Sequence, residues 1–434
     1  MAVVTAPRVL VVSGDPVGEL MAGPAIRAVE LARALSAAGH PVTLAVPAVG
    51  PTDLAPAVAV VAAEGDDLRP LVQAAATVVV FSAVAAANPW LAEVDAMVVV
   101  DAYDPGLLET LERRRGEPVN AQRDWIRDAS AHLVDPLSFA DVVLVASDRQ
   151  RHLVLGLLAA LGRLSPRVLA EDPSLDRLVR IVPFGIAAEP PAPPSVRPIS
   201  GPGGLLPGVA HVALWGGGLY DWLDPLTLVE AIALAPADVG AVFLAGPHPT
   251  PAVGAAPLAA RACARAAELG LLGRRIAFHD RWVPYAERGG WLLDAAVGVS
   301  LHRHHVETEL AFRTRVLDYL WAGLPVLCTE GDVLAELVVA ADLGAVVPAD
   351  DPSAVAAALD DLVRATGTER SARSARTAAV AAERTWPLVA APLVELCAAP
   401  AMAPDRRVGR PGPGRVRGAW RAVRGLPETP RARW

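Results

Sequence analysis

Arginines and carboxylates lie close together in a segment about three-quarters of the way along the chain. Arg313 and Arg315 fall in the first turn of a helix predicted over Phe312 to Ala322, which Gly323 ends. A helix start disfavours cations, because its free N–H groups give it a partial positive charge. A bound anion would remove this penalty, so the spacing predicts an anion site. The alternative is a surface ion pair between Arg315 and Asp318.

The chain of 434 residues contains no lysine. This excludes a pyridoxal-phosphate Schiff base, the lysine of a nucleotide P-loop and a lysine nucleophile. Any phosphate group must therefore be held by arginine, by backbone amides or by helix termini.

Two loops in the first half of the chain carry further polar groups. Gly23 precedes a helix and allows a ligand to approach the backbone closely, while Arg27 in the first turn suggests another anion contact. A solvated arginine on the polar face of the helix is the alternative reading of Arg27. Asp101 ends a strand and is a candidate to support charge at a reacting carbon, whereas Asp104 suits an Asp-Pro-Gly turn.

The second half offers backbone and aromatic groups at equivalent places. Gly217 and Gly218 belong to a run of three glycines after a strand, whose N–H groups favour a phosphate, although a tight turn needs glycine equally. Trp282 and Val283 follow another strand. They could offer a nucleobase a flat ring or backbone contacts, or the tryptophan could pack under a loop.

Metal and disulfide chemistry are not expected. His302, His304 and His305 are clustered, but no acids at metal-ligand spacing accompany them. The three cysteines are widely spaced, which predicts neither a disulfide framework nor a zinc site and suits the cytoplasm. The N-terminus lacks the pattern of a signal peptide.

Short apolar strands alternate with helical patterns in both halves, which indicates parallel sheets covered by helices on both faces. We therefore predict an α/β protein with two Rossmann-like, doubly wound domains facing a cleft, where ligands bind beyond the carboxyl ends of the strands. A proline-rich stretch marks the boundary. The predicted segments are a first Rossmann-like domain (1–186), a linker (187–208), a second Rossmann-like domain (209–385), a C-terminal helix (386–399) and a basic, disordered tail (400–434).

Charge is unevenly distributed along the chain. The net charge of −8 argues against nucleic-acid binding, yet the tail from Pro400 holds nine arginines and only two acids. Val416, Trp420 and Val423 form a thin apolar stripe there. The tail could make peripheral contact with anionic lipids at the inner membrane face, or it is simply a solvated end.

Four features together resemble a known family. The segment from Phe312 to Pro325, the Gly216–Gly218 turn, Gly23 and Val182-Pro-Phe-Gly185 resemble retaining glycosyltransferases of the GT-B fold, family 4 type. The resemblance reaches to about Cys397. It implies transfer of a sugar from a nucleotide-diphosphate-sugar to a glycan, lipid-linked or small-molecule acceptor, without a metal or cofactor. It also implies that the first domain (1–186) is the acceptor side and that the second (209–385) binds the nucleotide-sugar. It also suggests that the donor phosphate takes the proton of the acceptor, which gives retention, and by analogy a bacterial role in cell-surface glycan synthesis.

The resemblance assigns roles to the acids. Asp318 matches the acid that binds the ribose hydroxyls of the donor. Leu310 stands where the family has the acid that contacts the donor sugar. The catalytic candidates are therefore Glu307 and Glu309, beside Asp101 of the first domain.

The resemblance also concerns the cations. The arginine–lysine pair of the family has no clear match in this chain. Arg313 and Arg315 are therefore expected to neutralise the donor diphosphate, with Thr308 and Phe312 beside them. These four join the glycines, Arg27 and the Trp-Val pair named above as donor-binding candidates.

Two other functions remain open. A catalytically silent sugar-nucleotide-binding or scaffold protein of the same fold is the main alternative, and Leu310 favours it. A nicotinamide-dependent dehydrogenase is disfavoured, because the Gly-x-Gly-x-x-Gly fingerprint is absent after the first strand.

Overall fold

Apolar, largely β-branched residues fill the short strands of this protein, as buried parallel strands require. The structure is a computed structural model that describes residues 6–54, 56–250 and 257–406. The first strands are β1 (Val9–Val12), β2 (Val42–Val46), β3 (Val58–Ala62), β4 (Thr77–Phe81), β5 (Met97–Asp101), β6 (Val142–Val145) and β7 (Val179–Ile181). The helices among them are α1 (Gly23–Ala37), α2 (Arg69–Gln73), α3 (Ser82–Ala87), α4 (Gly106–Arg113), α5 (Val119–Leu137), α6 (Asp148–Ala160) and α7 (Pro166–Glu171).

The second half repeats this alternation of strands and helices. Its strands are β8 (His211–Trp215), β9 (Val239–Leu244), β10 (Ile276–His279), β11 (Val297–Ser300), β12 (Val326–Thr329) and β13 (Gly344–Val347). Its helices are α8 (Pro225–Leu234), α9 (Pro257–Glu268), α10 (Arg288–Leu293), α11 (Val306–Leu310), α12 (Thr314–Trp321), α13 (Val333–Ala340), α14 (Pro352–Arg364), α15 (Gly367–Ala382) and α16 (Trp386–Ala398).

Two parallel sheets result. The first has the order β3-β2-β1-β4-β5-β6-β7 and the second the order β10-β9-β8-β11-β12-β13. In each sheet the first strand lies inside, with the chain winding to one edge and then to the other. Both sheets are therefore doubly wound, which confirms the predicted fold class. The loops after β1 and β8 fall at the switch points, where such sheets bind ligands.

The proline-rich linker from 187 to 208 contains no helix or strand, and it is fixed to the second domain. Ile199 and Leu206 are buried. The carboxylate of Asp294 accepts hydrogen bonds from the N–H groups of Ile199 and Ser200 and from the Ser200 hydroxyl. The chain therefore crosses between the domains along a defined path.

The end of the described chain returns to the first domain. Helix α16 packs against α1, and the rings of Phe184 and Trp386 lie 4.8 Å apart. Beyond it, Arg406 pairs with the buried carboxylate of Asp141, and Asp405 pairs with Arg163. This differs from the expectation of a disordered tail from residue 400, because charged groups at 405 and 406 find buried partners.

The predicted lipid-binding stripe lies in residues 407–434, outside the described residues. Within the ranges that the structure covers, no helix combines the length and apolarity needed to cross a membrane.

Candidate active site

A cavity of about 440 Å³ lies between the two domains at the carboxyl ends of both sheets. Gly23, at the start of α1, lines it from the first domain. Gly216–Gly218, in the loop after β8, lines it from the second, together with residues 312–315 at the start of α12. The structure thus brings together the glycine and arginine segments that the sequence predicted to share a site.

The guanidinium of Arg315 lies against the glycine loop. Its Nη2 donates a hydrogen bond of 3.2 Å to the carbonyl of Gly218, and its central carbon lies 5.1 Å from the centre of the Trp215 ring. Its Nη1 is buried without a hydrogen-bond partner, and burial lowers the pKa of the group. Ion pairs in this segment of the described chain use Arg313 and Asp318 instead. An anion at the glycine loop would supply the missing partner.

Tyr319 holds the glycine loop in place from below. Its hydroxyl accepts a 2.9 Å hydrogen bond from the N–H of Gly216 and donates one of 2.7 Å to the carbonyl of Val299. A Cβ at Gly298 would lie 2.2 Å from the tyrosine ring, so only glycine fits there. Trp321, two residues further along the same helix, is only partly buried.

Two helix starts without side-chain caps meet this cavity. Helix α1 begins at Gly23 and α12 begins at Thr314, and neither has a capping side chain or an acid in its first turn. By contrast, Ser147 caps α6 by accepting from the N–H of Gln150. Uncapped N–H groups favour a bound anion, and the positive end of the helix dipole adds to the effect.

Arg313 and Glu307 neutralise each other beside the cavity. Nη1 of Arg313 donates a 2.7 Å hydrogen bond to one carboxylate oxygen of Glu307, and Nη2 donates to the other. The two residues are 7% and 1% exposed. Glu307, predicted to be catalytic, and Arg313, predicted to contact the diphosphate, are therefore each paired with the other in this structure. A ligand that bound either side chain would have to break this buried ion pair, which costs several kcal/mol.

Glu309, predicted to be catalytic, and Thr308, predicted to bind the donor, lie outside the lining of the cavity. The side chain of Glu309 is exposed, and its backbone carbonyl accepts a 3.0 Å hydrogen bond from Arg149 of the first domain. The Thr308 hydroxyl is buried and donates to the carbonyl of Arg303 at 3.1 Å, which stabilises the start of α11.

Arg27 and Asp101 form a second buried ion pair under the cavity. Nε of Arg27 lies 2.6 Å from the Asp101 carboxylate, and its other donors reach the carbonyls of Val182 and Pro183 at 2.8 and 3.0 Å. Neither residue lines the cavity. Arg27, predicted to contact an anion, and Asp101, predicted to be catalytic, are thus engaged with each other in this structure. Their pairing fixes the start of α1 against the strand ends of the first sheet.

A narrower cavity of about 110 Å³ adjoins the first and shares Gly216–Gly218 with it. Trp282 and Val283 line it, among mostly apolar side chains. The indole N–H of Trp282 donates a 3.1 Å hydrogen bond to the carbonyl of Met21, so the ring bridges the domains. This cavity, called the slot below, is therefore mostly apolar and lies beside the Gly216–Gly218 loop.

Asp318 lies where the two cavities meet. Its carboxylate accepts a 3.3 Å hydrogen bond from Nε of Arg288, and burial raises its pKa. Arg288 in turn lies 3.6 Å from the centre of the Tyr285 ring and 4.4 Å from that of Trp321. One oxygen of Asp318 remains for hydroxyl groups in the slot.

The sequence reading did not select two carboxylates of the first domain that line the larger cavity, Asp104 and Glu109. In the sequence Asp104 suits an Asp-Pro-Gly turn, and no motif includes Glu109. Burial, followed by the charge of Glu307, raises the pKa of Asp104 to about 6. The spacing could have indicated this site. Asp104 follows the end of β5 and Glu109 lies five residues later in the first turn of α4, so the two side chains can reach the same space.

The clustered histidines have structural partners. His302 is buried, with Nε2 at 3.2 Å from the carbonyl of Glu330. His305 caps α11 by accepting from the N–H of Thr308. Across residues 6–54, 56–250 and 257–406, no group of three or more His, Cys, Asp or Glu side chains is arranged to hold a metal ion.

Comparison with known proteins identifies the fold family of this chain. No family model and no curated protein matches the sequence. Sucrose-phosphate synthase from Thermosynechococcus elongatus superimposes with a TM-score of 0.62 at 17% identity, covering 90% of this chain and 98% of that one. WaaG, a glycosyltransferase of lipopolysaccharide biosynthesis, gives 0.57 at 16%, covering 90% and 99%. The chain has the GT-B fold.

A third GT-B structure contains ligands. Anabaena HepE, in complex with UDP and glucose, superimposes with a TM-score of 0.59 at 14% identity, covering 90% of this chain and 98% of that one. The likeness extends over both domains of each protein, so the two doubly wound sheets and the cleft between them belong to one shared architecture. The site residues of this chain rest on its own geometry, because identities this low establish only the fold.

Proposed function

We propose that this protein is a retaining, metal-independent glycosyltransferase that moves a sugar from a nucleotide-diphosphate-sugar to an acceptor. The carrying observation is the guanidinium of Arg315, buried beside Gly216–Gly218 with one nitrogen unpartnered. Gly23 and the uncapped start of α12 add further positive character to the same cavity. A diphosphate has the charge and the oxygen atoms to satisfy all of these groups.

The donor would lie across the second domain. Its base fits the apolar slot at Trp282 and Val283, and its ribose hydroxyls reach Asp318. The diphosphate then falls at Arg315 and the glycine loop. As the bond to the sugar breaks, the leaving diphosphate gains charge that Arg315 and the helix N–H groups stabilise, a contribution of roughly several kcal/mol. No cofactor is required, and the donor phosphate accepts the proton of the acceptor hydroxyl on the same face.

The acceptor would approach from the first domain. A cavity of about 780 Å³, lined mainly by the first domain and partly by the second, shares Arg113, Tyr220 and Trp222 with the 440 Å³ cavity, called the central cavity below. Its lining includes charged side chains and the half-exposed ring of Trp125. Glycans, the glycan part of lipid-linked acceptors and polar metabolites suit such a surface. A role in bacterial cell-surface glycan synthesis at the cytoplasmic side of the membrane follows by analogy alone.

The second candidate is a silent sugar-nucleotide-binding protein of the same fold. It is favoured by Leu310, which offers no carboxylate, and by the mutual neutralisation of Glu307 and Arg313. Slow hydrolysis of the bound sugar nucleotide in the absence of acceptor distinguishes an enzyme from a scaffold.

The deciding experiment measures binding of UDP, GDP, dTDP and their sugar derivatives by thermal shift and calorimetry. The protein should bind one nucleoside diphosphate, and Arg315→Ala should weaken that binding about tenfold or more, because a charge-assisted contact is lost. Arg274→Ala, at an exposed arginine, is the matched control. If Arg315→Ala binds every nucleotide as the parent does, the diphosphate assignment is refuted.

Contact of the basic tail with membranes remains a separate proposal. Sedimentation of the full chain with vesicles of anionic lipid, compared with a chain that ends at Arg406, tests it. Equal sedimentation of the two chains would reject a role for residues 407–434.

A further inference from the structure

The sugar end of the proposed donor needs polar partners that the second domain does not supply. A sugar ring presents hydroxyl groups, which proteins bind with carboxylates and amides. Glu307 is occupied by Arg313, and the side chain of Glu309 lies outside the cavity. Leu310 offers an apolar side chain, and its carbonyl accepts a 2.8 Å hydrogen bond from Gln150.

The remaining acids of the central cavity come largely from the first domain. Asp318 is shared with Arg288 on the nucleoside side, and Asp15 accepts a 2.8 Å hydrogen bond from the hydroxyl of Thr250. Asp104 and Glu109 are left. Within the described part of the chain, neither carboxylate forms a salt bridge or a side-chain hydrogen bond.

Their positions follow from the local fold. Asp104 lies in the loop after β5, at the carboxyl end of the first sheet, and Glu109 lies in the first turn of α4. Helix α4 packs against α11 of the second domain. The two acids therefore border the same space as Arg313 and Phe312, across the cleft from the proposed diphosphate site.

The two groups influence each other. Burial, and after it the charge of Asp104, raises the pKa of Glu109 well above its usual value, and the pKa of Asp104 is raised to about 6. The positive charge of Arg113 offsets part of the rise in pKa for both groups. A protonated carboxyl group can donate a hydrogen bond to a sugar hydroxyl, and an ionised one can accept from it, so two such groups suit a ring with several hydroxyls.

The unpaired guanidinium nitrogen of Arg315 indicates how the donor would lie relative to Asp104 and Glu109. The unpartnered Nη1 of Arg315 in the same cavity calls for an anion. In the proposed donor position the base lies in the slot at Trp282 and the diphosphate lies at Arg315. The sugar, which is attached to the diphosphate, then lies in the part of the cavity that Asp104 and Glu109 border.

We propose that Asp104 and Glu109 form the hydroxyl-binding subsite for the transferred sugar of the donor, supplied by the opposite domain. This rests on the proposed function. A sugar unit of the acceptor has the same chemistry, so the experiment must separate the two sources.

The test compares Kd values for a nucleoside diphosphate and for its sugar derivative, using UDP with UDP-glucose, GDP with GDP-mannose and dTDP with dTDP-glucose. The variants are Asp104→Ala and Glu109→Ala. Glu112→Ala on the same helix is the control, since Glu112 pairs with Arg115 outside the cavity. Both variants should lose about tenfold or more in affinity for the sugar nucleotide, while affinity for the plain diphosphate stays equal or rises.

The outcomes are distinguishable. Parent-like affinity for both ligands in both variants overturns the subsite, while the proposed function stands on the binding by the parent protein. Unchanged donor affinity with slower transfer to an acceptor assigns the pair to the acceptor and also overturns it. If the parent protein binds no nucleotide, the proposed function fails, and the subsite fails with it. Circular dichroism checks that each variant is folded.

Discussion

Glu307 and Arg313 hold each other through two hydrogen bonds, while Arg315, two residues further on, has no such partner. The two arginines look equivalent in the sequence, since both fall near a helix start. In the structure the first is neutral as part of a pair and fixes the loop between α11 and α12. The second is the cation that faces the glycine loop, so stability and ligand binding are separated between neighbouring arginines.

Arg313→Ala should destabilise the protein strongly. The change leaves the Glu307 carboxylate buried without its partner, which typically costs about 3–5 kcal/mol. Urea unfolding of the variant measures the loss, and the double variant Glu307→Leu, Arg313→Met should recover much of it. Parent-like stability of Arg313→Ala, together with lost nucleotide binding, would reverse the roles given to Arg313 and Arg315.

Tyr319→Phe should weaken nucleotide binding more than it weakens the fold. The ring still fills the space over Gly298, but the N–H of Gly216 and the carbonyl of Val299 lose their partner. We expect a loss of about 1 kcal/mol in stability and a several-fold rise in the Kd for the nucleoside diphosphate. Tyr285→Phe is a control at a tyrosine on the other side of the slot. An unchanged Kd would mean that the tyrosine hydroxyl does not position the loop.

The sequence predicted the fold and part of the site. Fully apolar strands in alternation with helices, and a proline-rich break, define two doubly wound sheets because few other packings bury such strands. The same logic places Gly23 and Gly217 in segments that follow strands, at the cleft where Arg315 of α12 also lies.

Pairings between distant charges could not be predicted in this way. Arg27 finds Asp101 across 74 residues, and only the packed fold shows that the two meet under the cavity instead of in it. Tyr319 was overlooked for a related reason. Its burial depends on carbonyl and N–H groups of two other strands, which helical periodicity does not reveal.

Arg149→Ala should loosen the contact between the domains. The side chain, on α6 of the first domain, donates to the carbonyls of Glu309 and Gly331 and pairs with Glu336 of the second. Its loss should raise the radius of gyration in small-angle X-ray scattering and lower affinity for the sugar nucleotide, because an open cleft orders the ligand less well.

Arg151→Ala is the matched control for the domain contact. Arg151 lies on the same helix, but its partners, Asp176 and the carbonyls of Ser174 and Val179, belong to the first domain. The two variants should therefore differ in scattering. Identical curves for Arg149→Ala, Arg151→Ala and the parent would remove Arg149 from the interdomain contact in solution.

The stability of Asp104→Asn relative to the parent protein should increase from acid to neutral pH. Burial, and then the charge of Glu307, raises the pKa of Asp104 from 3.8 to about 6, so the folded state binds its proton more tightly than the unfolded state does. The resulting stabilisation of the parent is complete below about pH 3.8 and is lost as the pH rises through about 6. The amide has no such dependence.

Melting temperatures of the parent and of Asp104→Asn, measured from pH 4 to pH 7, test this. The difference should shift in favour of the variant as the pH rises, with most of the change between pH 4 and pH 6. Asp67→Asn, at an exposed acid, is the control and should show no comparable trend. The pKa of Glu109 is also raised, so the melting temperature of the variant should still fall somewhat as the pH rises. A constant difference across this range would mean that Asp104 is well solvated in the folded protein and does not face a closed cavity.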